Sequence, residues 1–270
     1  MALGLIMSKN TYIQIENHEW VETQDGSYTL YSKRYNETCH SLSGAESETT
    51  HYYINGCRIE HLFKSDNSTV LEVGLGLGKG LQATLDVHKK SPAHKLHFIS
   101  LEIAPELIEF VKKNVLTDDW SQHDNLHCYK KANLRVTIIE GDARDALPNY
   151  ILNFHPVFDA IYQDAFSPKR NVELWTTQWF KLLRESSHDQ TLMTTYSSSK
   201  AMRKSMIAGG WSLREGEKFG TKRSSTLAIG SGKTEQTILD QLERSPTPSI
   251  TDSNRVSYSK DRKELKNVQK

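Results

Sequence analysis

VLEVGLGLGKG, Val70 to Gly80, is an apolar run broken by one glutamate that passes directly into four glycines within seven residues. The run has the texture of a buried strand, and the glycines let the backbone turn tightly and come close to a ligand. Three readings of such a loop compete. A Walker phosphate loop needs four residues between its first glycine and Gly-Lys-Ser/Thr, but counting back from Lys79 reaches Val73, and Gly80 stands where the hydroxyl residue belongs. The dinucleotide pattern GxGxxG meets Lys79 at its third glycine. What remains is ExGxGxG, on Glu72, Gly74, Gly76 and Gly78. In an open α/β sheet a ligand sits beyond the carboxyl ends of the strands, where this loop would lie; the plainer reading is a tight strand-to-helix connection.

Downstream, short apolar runs alternate with helical patterns. Strands are predicted at Thr69–Val73, Lys95–Leu101, Val136–Ile139, Phe158–Tyr162 and Thr191–Tyr196. Helices are predicted at Gly80–Lys89, Pro105–Leu116, Arg144–Ile151 and Glu173–Glu185, followed by a helix over Ser199–Ala208 and short strands at Trp211–Arg214 and Thr226–Ile229. This alternation predicts a Rossmann-like α/β fold: a mostly parallel sheet with an antiparallel C-terminal strand. Upstream, SYTLYSKRY alternates polar and apolar residues after Asp25-Gly26, which predicts an added N-terminal β-hairpin. The expected organisation is a hairpin extension over residues 1–60, a main domain over 61–230 and a disordered tail over 231–270, rich in Ser, Thr, Pro and Lys.

Two acidic residues stand at strand ends in register with the glycine loop. Glu102 closes HFISLE, 24 residues after Gly78, where a carboxylate can accept ribose hydroxyls. Asp142, followed by Ala143, closes IIEGDA, where a side chain can meet an adenine amino group or cap the next helix. Together with the glycines they point to an adenosine-bearing ligand without phosphates, S-adenosylmethionine being the candidate. The fourth strand end reads YQDAFSPKRNVELW and puts Asp164, Phe166 and Pro168 where reacting atoms would lie. An acid there can receive a hydrogen bond from an amine, and an aromatic can stack on a base. The alternative is an Asx-turn with Phe166 in the core.

Composition bounds the rest. With 270 residues, 37% hydrophobic, the chain can bury a sizeable core; 34 Lys/Arg against 33 Asp/Glu argue against a protein that coats nucleic acid indiscriminately. No apolar run approaches membrane-spanning length and MALGLIM lacks the pattern of a secretory signal, so a cytoplasmic protein with no membrane partner is expected. Three cysteines without a CxxC pair read as free thiols, and the Asp-Asn between His123 and His127 favours a loop over a metal-binding helix, so no metal is expected. Residues 200–223 hold seven Lys/Arg against two Glu, either a solvated face or a phosphate-contacting patch.

DAFSPKRNVELW, the later TYSSSKAMRKSMIAGGWSLREGEKFGTKRSSTLAIG and the upstream ESETTHYYI together resemble the methyltransferase domain of the MnmC-type tRNA modification enzymes. The likeness runs from about Tyr28 to Gly230 and rests on the order of a DxFxPxxNPExW segment, a TY strand with a basic helix, and a GFGxKRxM hairpin. The resemblance implies methylation of the amine of 5-aminomethyl-2-thiouridine at the tRNA wobble position, with S-adenosyl-L-methionine as donor and the anticodon stem-loop as partner. It further implies cofactor contacts at Glu72, Gly74, Gly76, Gly78, Glu102 and Asp142, an amine-facing Asp164, and a basic pair at Lys222 and Arg223. Phe166 and Pro168 would then shape a slot for an extruded base, closed from the N-terminal side by Tyr31 and Tyr53, the latter also a candidate for core packing. Val172 departs from the usual proline and Thr226 from the common methionine. No FAD-binding oxidase domain follows, which implies that the aminomethyl group arrives by another route. An aminopropyltransferase shares the glycine loop, GDAR and an aspartate after the fourth strand but leaves FGTKR unexplained; a catalytically silent RNA-binding module is a third reading.

Overall fold

The computed structural model describes residues 14–40, 42, 44–217 and 224–258 of the chain. It begins with β1 (His18–Glu22), β2 (Tyr28–Ser32) and β3 (Glu37–Thr38), which form a three-stranded antiparallel sheet. Next, α1 (Ala45–Thr49) runs into a π-helix, Thr50–Asn55, followed by α2 (Ile59–Leu62). The alternating part comprises β4 (Asn67–Val73), α3 (Lys79–His88), β5 (Lys95–Glu102), α4 (Pro105–Asn114), β6 (Ser121–His123), β7 (Leu126–Lys131), β8 (Leu134–Glu140), α5 (Ala143–Phe154) and β9 (Phe158–Gln163). After a 3-10 turn, Val172–Trp175, come α6 (Thr177–Glu185), β10 (Ser187–Thr195), α7 (Lys200–Ala208), β11 (Ser212–Gly216), β12 (Ser225–Ile229) and α8 (Gln236–Glu243).

The main sheet has the order β11-β12-β10-β9-β4-β5-β8-β7-β6. Its centre, β10-β9-β4-β5-β8, is parallel, and both edges are antiparallel. Successive strand residues face opposite sides of a sheet, so each apolar run feeds two cores. Leu71, Val73, Ile99 and Leu101 join the layer of α5, α6, α7 and α8, while Val70, Leu96 and Phe98 join the layer of α3, α4 and the π-helix. A third cluster, Ile15 and Leu30 with Leu77 and Leu107, seats the N-terminal sheet on the glycine loop and α4.

Two expectations change, and one strand pair is new. The single helix over Glu173–Glu185 is broken, because Thr176 is extended at ψ 159° and its hydroxyl accepts the Trp179 N–H, capping α6. Residues 121–131 form a hairpin of two strands, turned at Asp124 (φ 52°), on an edge too polar to read from its pattern. Within the tail expected to be disordered, residues 231–258 are ordered and pack on the body. Ile238 and Ile250 are fully buried, the Ile250 carbonyl accepts the Thr177 N–H at 2.8 Å, and Arg144 pairs with Asp252. Composition hid this because a few apolar residues spaced along a polar segment can fill a groove that the rest of the chain supplies.

Glu72, expected at the ligand, faces inward from β4 behind the loop. It is 2% exposed and accepts the Ser100 hydroxyl at 2.8 Å, and a Cβ on Gly80 would come within 2.0 Å of its Oε1. Burial pushes its carboxyl well above the usual carboxylate range.

Two outcomes are expected. Truncation after Gly230 should lower the melting temperature by well over 10 °C or abolish folding, since burial of Ile238, Leu242 and Ile250 is lost together. Because the folded-state pKa of Glu72 is raised, its stabilising contribution is full in acid and is lost as pH rises through that pKa. Glu72→Gln should therefore flatten the fall in melting temperature as pH rises above about 5; an unchanged profile would mean the buried group is not the source.

Candidate active site

The chain progresses from β4 outward to β5 and β8 on one side and to β9 and β10 on the other, so the order reverses between β4 and β9. Loops leaving neighbouring strands diverge at such a point and open a crevice. Here the β4 loop lies directly against the β9 loop: Asp164 N–H donates to the Val73 carbonyl at 3.1 Å, and a Cβ on Gly74 (φ 100°) would stand 3.0 Å from the Asp164 carbonyl. Gly76 (φ 52°) faces open space. Gly78, the left-handed residue before α3, is instead pressed on α4, where a Cβ would meet Val111 at 2.8 Å.

Glu102 gathers this geometry. Its Oε2 accepts the Gly76 N–H at 3.0 Å, and its Oε1 accepts Ile103 N–H at 2.9 Å and Ala104 N–H at 3.0 Å. A carboxylate has about four lone-pair sites. Three are filled, so Glu102 can accept one further hydroxyl rather than both of a ribose. Burial raises its pKa, opposed by the three N–H bonds. Asp142 caps α5, its Oδ1 accepting Arg144 N–H at 2.9 Å, and still borders the crevice beside Ala143.

The crevice is a cavity of about 810 Å³. Gly74, Gly76, Glu102, Asp142, Ala143, Asp164 and Phe166 all line it; Glu72, Gly78 and Pro168 do not. Pro168 is buried in its loop, and Lys222 and Arg223 lie outside the described residues. Space for a ligand beside Gly76, one acceptor site left on Glu102, and Asp142 at the next strand end together fit an adenosine-bearing cofactor.

Asp164 is oriented from a distance of over a hundred residues. Tyr53 donates its hydroxyl to Asp164 Oδ1 at 2.5 Å from inside the π-helix. Its ring is 2% exposed and lies 5.2 Å from that of Tyr162. Burial and the adjacent carboxylate push the Tyr53 phenol well above its ordinary value, so it stays a donor. The rest of the β9 loop is tied down by Trp175 Nε1–H donating to the Phe166 carbonyl at 2.8 Å and by Ser167 N–H donating to Glu37 Oε2 at 2.8 Å. Tyr31, expected to close the pocket, bonds Asn36 instead; Tyr35 takes that place and stacks on Phe166 at 4.4 Å and 21°.

The basic patch of residues 200–223 dissolves where it is described. Arg203 is 2% exposed, forms two bonds to Glu215 and also reaches Thr226 Oγ1 and the Ser225 carbonyl. Lys204 donates to the Ser245 carbonyl, and Arg214 pairs with Glu235. Of the described cations in that stretch only Lys200 stands exposed without such a bond. Arg34, Tyr35, Cys39, Arg170 and Asn171 line the cavity and were not singled out from sequence. Lys33-Arg34 in SYTLYSKRY and Lys169-Arg170 in DAFSPKRNVELW were the available signals. Among the described residues no group of three or more His, Cys, Asp or Glu is placed to hold a metal, and no helix is long and apolar enough to cross a membrane.

Residues 104–231 match a family described as S-adenosyl-L-methionine-dependent methyltransferase. The chain is 28% identical over 225 residues to the tRNA 5-methylaminomethyl-2-thiouridine biosynthesis bifunctional protein MnmC of Burkholderia mallei, aligning 74% of itself with 33% of that protein. Against the Burkholderia pseudomallei protein of the same name the values are 27% over 228 residues, 74% and 34%, so the chain spans about a third of the length of these relatives. Its fold superposes on the crystal structure of MnmC2 from Aquifex aeolicus with a TM-score of 0.74 and 27% identity, covering 88% of this chain and 79% of that one. A glycine loop, a strand-end glutamate and a cavity at the switch point agree with these matches: residues 104–231 carry the S-adenosyl-L-methionine-dependent methyltransferase match, and the chain is homologous to part of the MnmC proteins.

Proposed function

We propose that this chain methylates the amine of 5-aminomethyl-(2-thio)uridine at wobble position 34 of tRNA, acting in the cytoplasm where such tRNA is found. The observation that carries this reading is Asp164, held by Tyr53 at the end of β9 and facing the same cavity as the glycine loop. The names of the Burkholderia relatives, which specify 5-methylaminomethyl-2-thiouridine in tRNA, supply the substrate class.

S-adenosylmethionine, when bound, supplies an electrophilic methyl group on a sulfonium. Gly74, Gly76, Glu102, Asp142 and Ala143 would hold it on the β4-β5-β8 side of the cavity. The other side, built by the β9 loop and the N-terminal sheet, is left for the base. Attack needs a neutral amine with its lone pair aimed at the methyl carbon. The Asp164 carboxylate would accept an N–H of the ammonium form and take up its extra proton, which frees the lone pair of the neutral amine, while Tyr53 fixes the direction of the carboxylate. Phe166 and Tyr35 form an aromatic wall on which an extruded base can stack.

Glu102→Ala should weaken S-adenosylmethionine binding by about 2 kcal/mol, since a charge-assisted acceptor is lost and the Gly76, Ile103 and Ala104 N–H groups lose their partner. Calorimetry reads this directly; an unchanged affinity in a folded variant would remove Glu102 from the cofactor site. Asp164→Asn keeps an oxygen for Tyr53 but not the charge, so single-turnover methylation should fall about 10²-fold or more with cofactor and tRNA affinities little changed. Wild-type turnover by this variant would contradict the assigned role.

A further inference from the structure

Lys218, Lys222 and Arg223 of the basic stretch lie outside the described residues, and three of its four described cations are already engaged within the fold, which leaves the question of where else an RNA backbone would rest. Arg203, Lys204 and Arg214 are bound to Glu215, Ser245 and Glu235. At the mouth of the cavity the situation is the reverse. Arg34, just after β2, and Arg170, in the β9 loop, both line the cavity and both are exposed, with Lys169 exposed next to Arg170.

These two arginines belong to one rim. The Tyr35 ring stacks on Phe166 at 4.4 Å, the Arg34 guanidinium lies 5.5 Å from the Tyr35 ring centroid, and Glu37 holds the Ser167 N–H, so the N-terminal sheet and the β9 loop are joined around the opening. The geometry points to an RNA-backbone clamp at this rim: Arg34 and Arg170 contact the phosphates on either side of the nucleotide whose base enters the cavity, and the N-terminal sheet is thereby part of the RNA-binding surface. The inference rests on the tRNA reading above and adds to it which face docks.

Charge and chemistry favour this occupant. A nucleotide within a strand has a phosphate on each side, and arginine meets phosphate with a planar pair of N–H donors. The cofactor carries a single carboxylate, which one arginine can satisfy and two exceed. Glu102, which is buried, and Asp164, which is half-buried, share the cavity and disfavour an anion bound deep inside, which leaves the exposed arginines at its mouth as the place for phosphate.

The test compares the full-length wild type, Arg34→Ala/Arg170→Ala and Lys200→Ala in binding tRNA between about 50 and about 200 mM salt. The double variant should weaken tRNA binding about tenfold at any sequence and reduce the salt slope by roughly one to two, while Lys200→Ala, on α7, leaves both near wild type. S-adenosylmethionine affinity, measured by calorimetry, should move less than about twofold in the double variant. The conservative Arg34→Lys/Arg170→Lys pair should keep most of the salt slope and covers the case in which the alanine pair fails to fold. An unchanged salt slope, an equal effect of Lys200→Ala, or a loss of cofactor affinity with tRNA binding intact would each overturn the clamp. A wild type that binds no tRNA would overturn the tRNA reading itself, and the clamp with it.

Discussion

The Glu102 carboxylate receives the N–H groups of Gly76, Ile103 and Ala104, and the shape of the cavity follows from that convergence. A glycine-rich loop has the largest conformational entropy to lose, so something must hold it if it is to face a ligand in one form. Here the anchor is a charge at the end of the neighbouring strand, itself fixed by the parallel ladder that pairs Glu102 with Glu140. The loop is closed from the other flank by Leu77 in the small cluster with Leu30 and Leu107, so the N-terminal sheet braces the glycines as well as roofing the cavity. Burying Glu72 behind the same loop has the opposite sign: it costs desolvation, offset by the Ser100 hydroxyl, and it requires that residue 80 have no side chain.

A second constraint orients the reacting side. A π-helical turn is poorer in hydrogen bonding than an α-helix and persists only where packing determines it. The turn over Thr50–Asn55 buries Tyr52, Tyr53 and Ile54, and its outcome is a tyrosine hydroxyl on Asp164. Since the β4 and β9 loops touch at Gly74 and Asp164, the two constraints meet at one point, and displacement of either loop would move both halves of the cavity.

Most of the parallel sheet was legible because each central strand is an apolar run bounded by turn residues, buried on both faces. Glu102, Asp142 and Asp164 were legible for the same reason, as acids placed at the ends of such runs. What escaped depended on contacts distant in sequence. Arg203 reads as one more cation on a basic helix; only Glu215 on the next strand and Thr226 on β12 turn it into a buried support. The Thr226 hydroxyl, a departure from the family pattern, is used there, bonding both Arg203 and the Ser197 carbonyl. Tyr35 lies in a turn whose stacking partner is 131 positions away, and the segment after Gly230 looks polar until the groove that receives Ile238 and Ile250 is seen.

The central claim, transfer of a methyl group to a wobble-uridine amine, is tested most directly by mass spectrometry of tRNA nucleosides. The full-length chain would be incubated with methyl-labelled S-adenosylmethionine and tRNA carrying 5-aminomethyl-(2-thio)uridine. The account requires that this nucleoside gain one labelled methyl group and that no other nucleoside change. Label on a different nucleoside, transfer of an aminopropyl group in place of methyl, or no label with cofactor and tRNA both bound would contradict it.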